Sequence, residues 1–230
     1  AFDSSIKSFR NELLPTYKDG SDTPLELEMQ FPLAERVVNA LGIVSWPMHD
    51  YEADDALATA ALLYSKQDTV QQVIICSPDK DLCQMVSGDQ IVCLDRKNNL
   101  VLNELGVLEK FGILPISIPD YLGLVGDTAD NIPGIPKWGA KSSSILLNRY
   151  IHIEDIPNTY ELWDVSVRGA AALSLSLEDS RVEACLYREI ATVRTDLEIT
   201  ETLKELEWLG ASKNLFPSLC RELGLGNLSN

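Results

Sequence analysis

Three groups of acidic residues could bind metal, because each lies at the predicted end of a helix or strand. They are Glu52-Ala53-Asp54-Asp55 at the start of a helix, Asp79-Lys80-Asp81 directly after a strand, and Asp127 with Asp130 in a loop. Few His or Cys residues stand among these carboxylates, and oxygen ligands suit Mg²⁺ or Mn²⁺ better than zinc. The pattern therefore predicts a divalent-cation site that draws on all three groups.

A plainer interpretation of these acids stays open on the sequence alone. The chain has 35 Asp and Glu residues, so any single acidic pair is more often a solvated surface or a helix-start preference. Carboxylates that lie close together repel one another unless cations neutralise them, so convergence in one cleft makes sense only with metal present. The sequence does not show whether the three groups converge.

A second candidate site precedes a predicted helix, in the segment from Gly134 to Ser142. Glycines that flank a tight turn at the start of a helix present backbone N–H groups to an anion, and Lys141 adds positive charge. This arrangement suits a phosphate of a nucleic-acid backbone, bound without sequence preference. An ordinary helix-hairpin-helix corner explains the spacing equally well. The candidate DNA-binding residues are Gly134, Lys137, Gly139, Lys141 and Ser142.

Hydrophobic periodicity places these motifs on an alternating pattern of strands and helices. Strands are predicted over 73–76, 91–95 and 100–102, and helices over 25–41, 52–65, 103–111, 119–125, 139–150 and 177–192. Asp79 and Asp81 thus follow the carboxyl end of a strand, which is where ligands bind in open α/β sheets. The first half alternates strands with helices and the second half is mostly helical, so we expect an α/β core that carries a helical module.

Composition limits the class of protein. The 230 residues are 45% hydrophobic, with no apolar run long enough to span a membrane and no signal-peptide pattern at the first residues, which predicts a soluble globular protein. Five cysteines without a C-x-x-C pair argue against a disulfide framework or a thiolate zinc site. The net charge of -16 argues against nucleic acid, unless bound cations reverse the local sign where the substrate sits.

The ordered motifs resemble the 5′-to-3′ exonuclease and flap endonuclease family. Its members stand alone in some bacteria and phages and also form the amino-terminal domain of bacterial DNA polymerase I. The resemblance covers nearly the whole chain. Its motifs are Phe2-Asp3, Phe9-Arg10, Tyr17-Lys18, Tyr51 to Asp55, Ser77 to Asp81, Val125-Gly126-Asp127, Asp130 to Gly134 and Val193 to Leu197.

The resemblance implies an α/β fold in which a PIN-like, mostly parallel twisted sheet is flanked by helices. It also implies a helix-three-turn-helix module for DNA. The expected divisions are a nuclease core over 1–125, the module with its following helices over 126–200, and a segment that packs on the core over 201–230. A K⁺ ion held by carbonyls of the hairpin turn belongs to the same expectation.

The resemblance further implies phosphodiester hydrolysis at two divalent ions, Mg²⁺ or Mn²⁺, with Arg10 and Lys18 near the scissile phosphate. The expected substrate is DNA with a 5′ flap, a nick or a free 5′ end, and the expected state is a cytoplasmic, nucleoid-associated monomer. The implied metal-binding residues are Asp3, Glu52, Asp54, Asp55, Asp79, Asp81, Asp127 and Asp130.

Departures from the family pattern keep two other functions open. The family begins with a strand whose aspartate is a central metal ligand, and this sequence starts at the second family aspartate, which predicts poor metal binding by the chain on its own. The segment 19–22 lacks an arginine that the family often has, and Lys137 stands where glycine is common. The alternatives are a catalytically silent nucleic-acid-binding relative and a 5′ nuclease that prefers RNA-DNA hybrids.

Overall fold

Five short strands form two small sheets in the part of the chain that the computed structural model describes, residues 1–18 and 23–226. In one sheet, β1 and β2 pair in parallel, with Phe2 opposite Pro47. In the other, β3 pairs in parallel with β4, and β4 pairs antiparallel with β5. Parallel pairing therefore predominates, as predicted, although the sheet is divided into two pieces. The strands are β1 (Phe2–Asp3), β2 (Pro47–Met48), β3 (Val73–Ile75), β4 (Ile91–Asp95) and β5 (Leu100–Leu102).

Helices cover the sheets and form most of the second half. The predicted helix over 25–41 is two helices in the structure, separated by a turn at Met29 and Gln30, although both residues keep right-handed backbone angles. The predicted helix over 177–192 begins earlier, at Ala170. The helices are α1 (Arg10–Leu13), α2 (Leu25–Glu28), α3 (Phe31–Ala40), α4 (Ala53–Ser65), α5 (Glu104–Phe111), α6 (Ile118–Val125), α7 (Ala140–Tyr150), α8 (Ala170–Ala191), α9 (Leu203–Leu206) and α10 (Leu215–Glu222).

Helix α4 lies in the core because its sequence suits burial next to a strand. Glu52 caps its start, and the Asp55 side chain accepts a hydrogen bond from the Glu52 N–H at 3.0 Å. Small residues then line the helix, and Ala56, Ala58 and Ala61 are almost completely buried. Helix α4 packs against β3 and thereby brings two predicted acidic groups to the same edge of the fold.

Helix α6 packs closely on α8, and a glycine permits this approach. A Cβ atom on Gly123 would lie 2.7 Å from the Ala184 carbonyl oxygen and 2.9 Å from the Arg188 nitrogen. Helix α8 is kinked at Ser180, whose backbone is not helical. Because α6 is held against α8 at this crossing, the crossing positions the loop that follows α6.

One hydrophobic core runs through both halves. It includes Leu82 near β3, Leu122 on α6, Leu146 on α7 and Leu177 on α8, all nearly inaccessible to solvent. Helix α10 packs against α3. Among the described residues, no helix combines the length and the apolar composition that a membrane span requires.

Candidate active site

Three aspartate side chains from two separated parts of the chain meet in a buried cluster. Asp81 begins a 3-10 helix that follows β3, whereas Asp127 and Asp130 lie in the loop between α6 and α7. One carboxylate oxygen of each residue lies within 4.8 Å of the others, and all three residues are buried. The fold therefore unites two of the three acidic groups that the sequence singled out. We call Asp81, Asp127 and Asp130 the aspartate cluster.

The loop from Gly126 to Gly134 holds Asp127 by paired backbone hydrogen bonds. The Asp127 N–H donates to the Ile132 carbonyl at 2.8 Å, and the Ile132 N–H donates back to the Asp127 carbonyl at 2.8 Å. The two glycines have φ values of 85° and 68°, which favour glycine, and a Cβ on Gly134 would lie 2.6 Å from the Val125 carbonyl oxygen. Glycine at both positions thus allows the tight fold that presents the loop aspartates.

Asp81 is positioned by the turn that follows β3. The Ser77 hydroxyl accepts a hydrogen bond from the Asp79 N–H at 3.1 Å, and Asp79 Oδ1 accepts one from the Asp81 N–H at 2.9 Å. Asp79 remains half-buried while Asp81 is buried. This turn lies at the carboxyl edge of a parallel strand, where ligands bind in α/β folds.

The electrostatics of the aspartate cluster favour a cation. Burial, followed by the charge of Asp79, raises the pKa of Asp81 to about 7, and burial also raises the pKa of Asp130. The buried Oδ1 atom of Asp81 accepts no hydrogen bond from the described residues, although Lys80 Nζ lies 3.3 Å from it in an ion pair. A buried carboxylate oxygen without a hydrogen-bond donor, surrounded by other carboxylates, has the chemistry of a hard-cation ligand.

A second acidic group lies beside the cluster and consists of Asp3, Asp54 and Asp79. Burial and the charges of Asp79 and Asp3 raise the pKa of Asp54 to about 7. Asp3 Oδ1 accepts a hydrogen bond from the Ala53 N–H at 2.6 Å, which ties β1 to the first turn of α4. The charges of Asp3 and Asp79 thus act on Asp54, but the carboxylate oxygens of these three residues do not meet within 4.8 Å of one another as those of the aspartate cluster do.

Arg10 is buried and holds two other predicted metal ligands. Its Nη1 atom lies 2.7 Å from Asp55 Oδ2 and 3.0 Å from Glu52 Oε1, and its Nη2 atom lies 2.7 Å from Asp55 Oδ1. The remaining N–H groups donate to the carbonyls of Ile190 at 2.8 Å and Thr192 at 3.1 Å. A guanidinium has five N–H donors, and all five have acceptors here. Arg10 therefore offers no N–H to a phosphate in this structure, which differs from the role that the resemblance implies.

Asp55 is also separated from the aspartate cluster. It is 0% exposed, and besides its bonds with Arg10 it accepts hydrogen bonds from the backbone N–H groups of Glu52 and Arg194. These four bonds occupy both carboxylate oxygens, since two reach Oδ1 and two reach Oδ2. Asp55 thus joins α4 to α1 and to the chain after α8, and a role as a metal ligand would require these bonds to break.

Lys18 lies between Glu52 and Asp130, which come from different acidic groups of the sequence. Its Nζ atom is 2.9 Å from Glu52 Oε2 and 3.3 Å from Asp130 Oδ1, and its side chain is 30% exposed. Burial alone would lower the pKa of Lys18, but the charges of Glu52 and Asp130 raise it overall. Lys18 is thus a firmly protonated, solvent-reachable cation next to the cluster, in a position to contact a phosphate.

The predicted hairpin is present between α6 and α7, and its two lysines face solvent. Lys137 and Lys141 are exposed, and no carboxylate of the described residues pairs with either of them. The Gly139 N–H donates to Ser142 Oγ at 3.2 Å, so this N–H is used within the turn. The φ value of Lys137 is 71°, which explains why glycine suits that position. Lys137 and Lys141 therefore supply the free positive charge of the hairpin.

Comparison with known protein families covers the chain almost completely. The family model for the 5′-3′ exonuclease N-terminal resolvase-like domain matches residues 1–112, and the model for the 5′-3′ exonuclease C-terminal SAM fold matches residues 113–214. The 5′-3′ exonuclease of Buchnera aphidicola subsp. Acyrthosiphon pisum is 35% identical over 207 residues, which are 89% of this chain and 71% of that protein. The chain belongs to the 5′-3′ exonuclease family.

Two further similarities agree with this family. DNA polymerase I of Bacillus subtilis is 32% identical over 232 residues, which are 99% of this chain and 26% of the polymerase. A crystal structure of the bacteriophage T5 flap endonuclease, in a pseudo-enzyme-product complex with DNA and metal ions, matches with a TM-score of 0.65 and 18% identity. That match covers 80% of this chain and 70% of the T5 chain. The fold is thus the α/β fold of these nucleases, and the chain is a nuclease by family.

Two residues of the site were not among the predicted site residues. Lys80 forms an ion pair with Asp127 and lies 3.3 Å from Asp81 Oδ1. The Tyr17 hydroxyl is buried and donates to Glu52 Oε2 at 3.1 Å. Each is adjacent in sequence to a predicted site residue, and this adjacency was the available signal.

Proposed function

We propose that this protein is a divalent-metal-dependent 5′-to-3′ exonuclease and structure-specific 5′ flap endonuclease that acts on DNA. The observation that carries the proposal is the aspartate cluster, because Asp81, Asp127 and Asp130 converge from separate parts of the chain and are buried. Burying three like-charged groups is costly unless a cation neutralises them. The oxygen-only ligand set favours Mg²⁺ or Mn²⁺.

The family resemblance implies two ions. We assign the aspartate cluster to one ion and the group of Asp3, Asp54 and Asp79 to the other. Bound there, divalent ions supply Lewis-acid stabilisation of the attacking and leaving oxygens of phosphodiester hydrolysis. Lys18 and Tyr17 each contact both Glu52 and Asp130, and so they link Glu52 to the aspartate cluster.

The surrounding cations then have distinct tasks. Arg10 positions Glu52 and Asp55 through the buried hydrogen bonds described above. Lys18 orients the scissile phosphate, since its ammonium group is partly exposed and lies beside the cluster. In this assignment Arg10 and Asp55 act through other residues and do not contact the reacting atoms.

The hairpin supplies the expected contact with DNA. The exposed side chains of Lys137 and Lys141 precede and begin α7, and Gly134 allows the preceding loop to pack tightly. Lysines and a helix N-terminus bind phosphates irrespective of base sequence. The T5 flap endonuclease structure contains both DNA and metal ions, which supports the same ligands here. Recognition of a 5′ flap, nick or free end, K⁺ in the turn, the monomeric state and the nucleoid location stay predictions.

The test is cleavage of a 5′-labelled flap DNA by the full-length natural protein. We expect Mg²⁺ or Mn²⁺ to be required, and Asp81→Asn and Asp127→Asn each to lower kcat by about 100-fold or more with DNA binding largely retained. Asp68→Asn is the matched control, because Asp68 is exposed and lies outside the site. Wild-type rates in both cluster variants would disprove the metal-site assignment. If the natural protein bound the DNA without metal and did not cleave it, the result would favour the alternative of a catalytically silent nucleic-acid-binding protein.

A further inference from the structure

Lys80 is a positively charged residue that contacts the aspartate cluster. Its ammonium group donates to Asp127 Oδ2 and lies 3.3 Å from Asp81 Oδ1. Asp81 belongs to the turn after β3 and Asp127 to the loop after α6, so one side chain joins both parts of the cluster. Lys80 therefore lies against the oxygen atoms that would bind a cation.

A divalent ion and this ammonium group compete for the same oxygens. Two cations bound to Asp81 Oδ1 and Asp127 Oδ2 would repel each other at short range. The divalent ion carries twice the charge, so the ammonium group is the one that leaves. Lys80 can leave because its side chain is 35% exposed and lies at the edge of the cluster.

The structure provides a place for the displaced group. An open cavity of about 510 Å³ adjoins the turn after β3, and Lys80 and Lys110 both line it. Lys110 lies over the Phe111 ring at 5.1 Å, and no carboxylate of the described residues pairs with it. The remaining lining residues are Ser77, Pro78, Asp79 and Phe111. A second ammonium group beside Lys110 would make this cavity a basic site next to the metal centre.

We propose that Lys80 is an internal counter-ion that the divalent cation displaces, and that the displaced group binds a phosphate of the nucleic-acid backbone together with Lys110. This inference rests on the proposed function, because it requires the aspartate cluster to bind metal. It assigns the cavity to a phosphate flanking the scissile one. It also couples the two ligands, since Lys80 becomes available to DNA only when metal is bound.

The first measurement is Mn²⁺ affinity by titration calorimetry of the full-length natural protein without DNA. Lys80→Met removes the competing cation, so we expect Mn²⁺ to bind about fivefold or more tightly. Lys80→Arg keeps the charge and should bind Mn²⁺ like the wild type, and so should Lys110→Met. An unchanged or weaker Mn²⁺ affinity in Lys80→Met overturns the counter-ion role.

The second measurement is binding of flap DNA by fluorescence anisotropy, with Ca²⁺ in place of Mg²⁺ and again with EDTA. Lys110→Met should weaken binding in both conditions, whereas Lys80→Met should weaken it only with Ca²⁺. Each loss should reduce the salt-dependence slope by about one. Lys213→Met, in the exposed C-terminal segment, is the control. Equal effects of Lys80→Met with Ca²⁺ and with EDTA, or no effect with Ca²⁺, overturn the coupled phosphate contact.

The outcomes separate this inference from the proposed function. If wild-type protein binds no Mn²⁺, both the metal site and the displacement of Lys80 are wrong. If wild-type protein binds Mn²⁺ and cleaves DNA while Lys80→Met matches it in both assays, only the inference is wrong. Lys80→Gln replaces Lys80→Met if circular dichroism shows that the methionine variant does not fold.

Discussion

The same side chain has different roles in this protein according to its partners. Asp55 is fully buried and forms two hydrogen bonds with Arg10 and two with backbone N–H groups, so its charge is compensated within the fold. Asp81 is also buried, but one of its oxygens accepts no hydrogen bond and its pKa is raised to about 7. Full compensation within the fold indicates that Asp55 is structural, whereas Asp81 has only an ion pair with the partly exposed Lys80 at that oxygen, which a bound cation could replace.

Arg10→Met should strongly destabilise the protein. The substitution leaves Asp55 and Glu52 buried without their main counter-charge, and breaking a buried pair in this way costs about 3–5 kcal/mol. Arg36→Met is the control, because Arg36 pairs with Glu222 at the exposed surface and such pairs contribute about 0–1 kcal/mol. Urea unfolding of both variants measures the difference. Equal free energies of unfolding would refute the structural role of Arg10.

Without metal, the stability of the protein should fall as the pH rises from 5.5 to 7.5, and Asp81 should contribute to this fall. The folded state holds the Asp81 proton with a pKa of about 7, well above the unfolded value of about 3.9, so protons favour the folded state in this range. The expected contribution is about 2 kcal/mol. Residue 81 cannot titrate in Asp81→Asn. The free energy of unfolding of this variant should therefore rise relative to that of the wild type by that amount as the pH rises.

Urea unfolding in EDTA at several pH values measures this effect. Subtracting the wild-type free energy of unfolding from that of Asp81→Asn at each pH removes the contribution of every other titrating group, including both histidines. Added Mg²⁺ should abolish the pH dependence that Asp81 causes, because metal replaces the proton. Parallel pH profiles for the two proteins in EDTA would contradict the raised pKa.

At the scale of elements, the site depends on how helices are stacked behind it. The loop that carries Asp127 and Asp130 leaves α6, and α6 is held against α8 at Gly123. Arg10 on α1 also reaches carbonyls at the end of α8. Helix α8 therefore supports both the aspartate cluster and the hydrogen bonds that Arg10 forms with Glu52 and Asp55. It contributes no carboxylate to either.

Gly123→Ala should destabilise the protein and disturb metal binding. The new methyl group would meet backbone atoms of α8 at 2.7 and 2.9 Å, so α6 must move away, at a cost of about 1–3 kcal/mol. Gly106→Ala on α5 is the matched control, since its methyl group would meet the movable Leu102 side chain at 3.2 Å and alanine suits a helix better than glycine. Thermal unfolding and Mn²⁺ titration compare the variants. Similar stabilities would show that the close crossing of α6 and α8 is unimportant.

At the scale of the whole molecule, a net charge of -16 must be reconciled with a DNA substrate. Lys18 and Lys80 are paired with carboxylates of the site, whereas Lys137 and Lys141 face solvent on the hairpin. DNA thus meets free positive charge at the hairpin and, in the absence of metal, excess negative charge at the aspartate cluster. Bound divalent ions reverse the sign at the cluster.

DNA affinity should therefore rise with Ca²⁺ at constant ionic strength, by about tenfold or more relative to EDTA. Lys141→Ala should weaken binding in both conditions and reduce the salt-dependence slope by about one, whereas the exposed Lys213→Ala should have little effect. Fluorescence anisotropy with flap DNA measures both effects. Equal affinity with Ca²⁺ and EDTA would mean that the site carboxylates do not face the DNA.

Patterns in the sequence predict the elements and the kind of chemistry. Strands 91–95 and 100–102 match the structure residue for residue, and the predicted helix over 119–125 is present over Ile118–Val125. Such elements depend on periodicity and on nearby glycines and prolines, which lie within a few residues of each other. The ordered acidic motifs likewise indicated the family, which the comparisons confirmed.

Which carboxylate meets which cation depends on the tertiary structure. Asp81 and Asp127 are far apart in sequence, and their distance depends on how α6 packs on α8 and on the tight turns at Gly126 and Gly134. The same packing gives all five N–H donors of Arg10 an acceptor within the fold, and it leaves Asp81 Oδ1 without a hydrogen bond, 3.3 Å from Lys80 Nζ. Charge interactions act over a few ångströms in space, and the sequence does not contain those distances until the chain has folded.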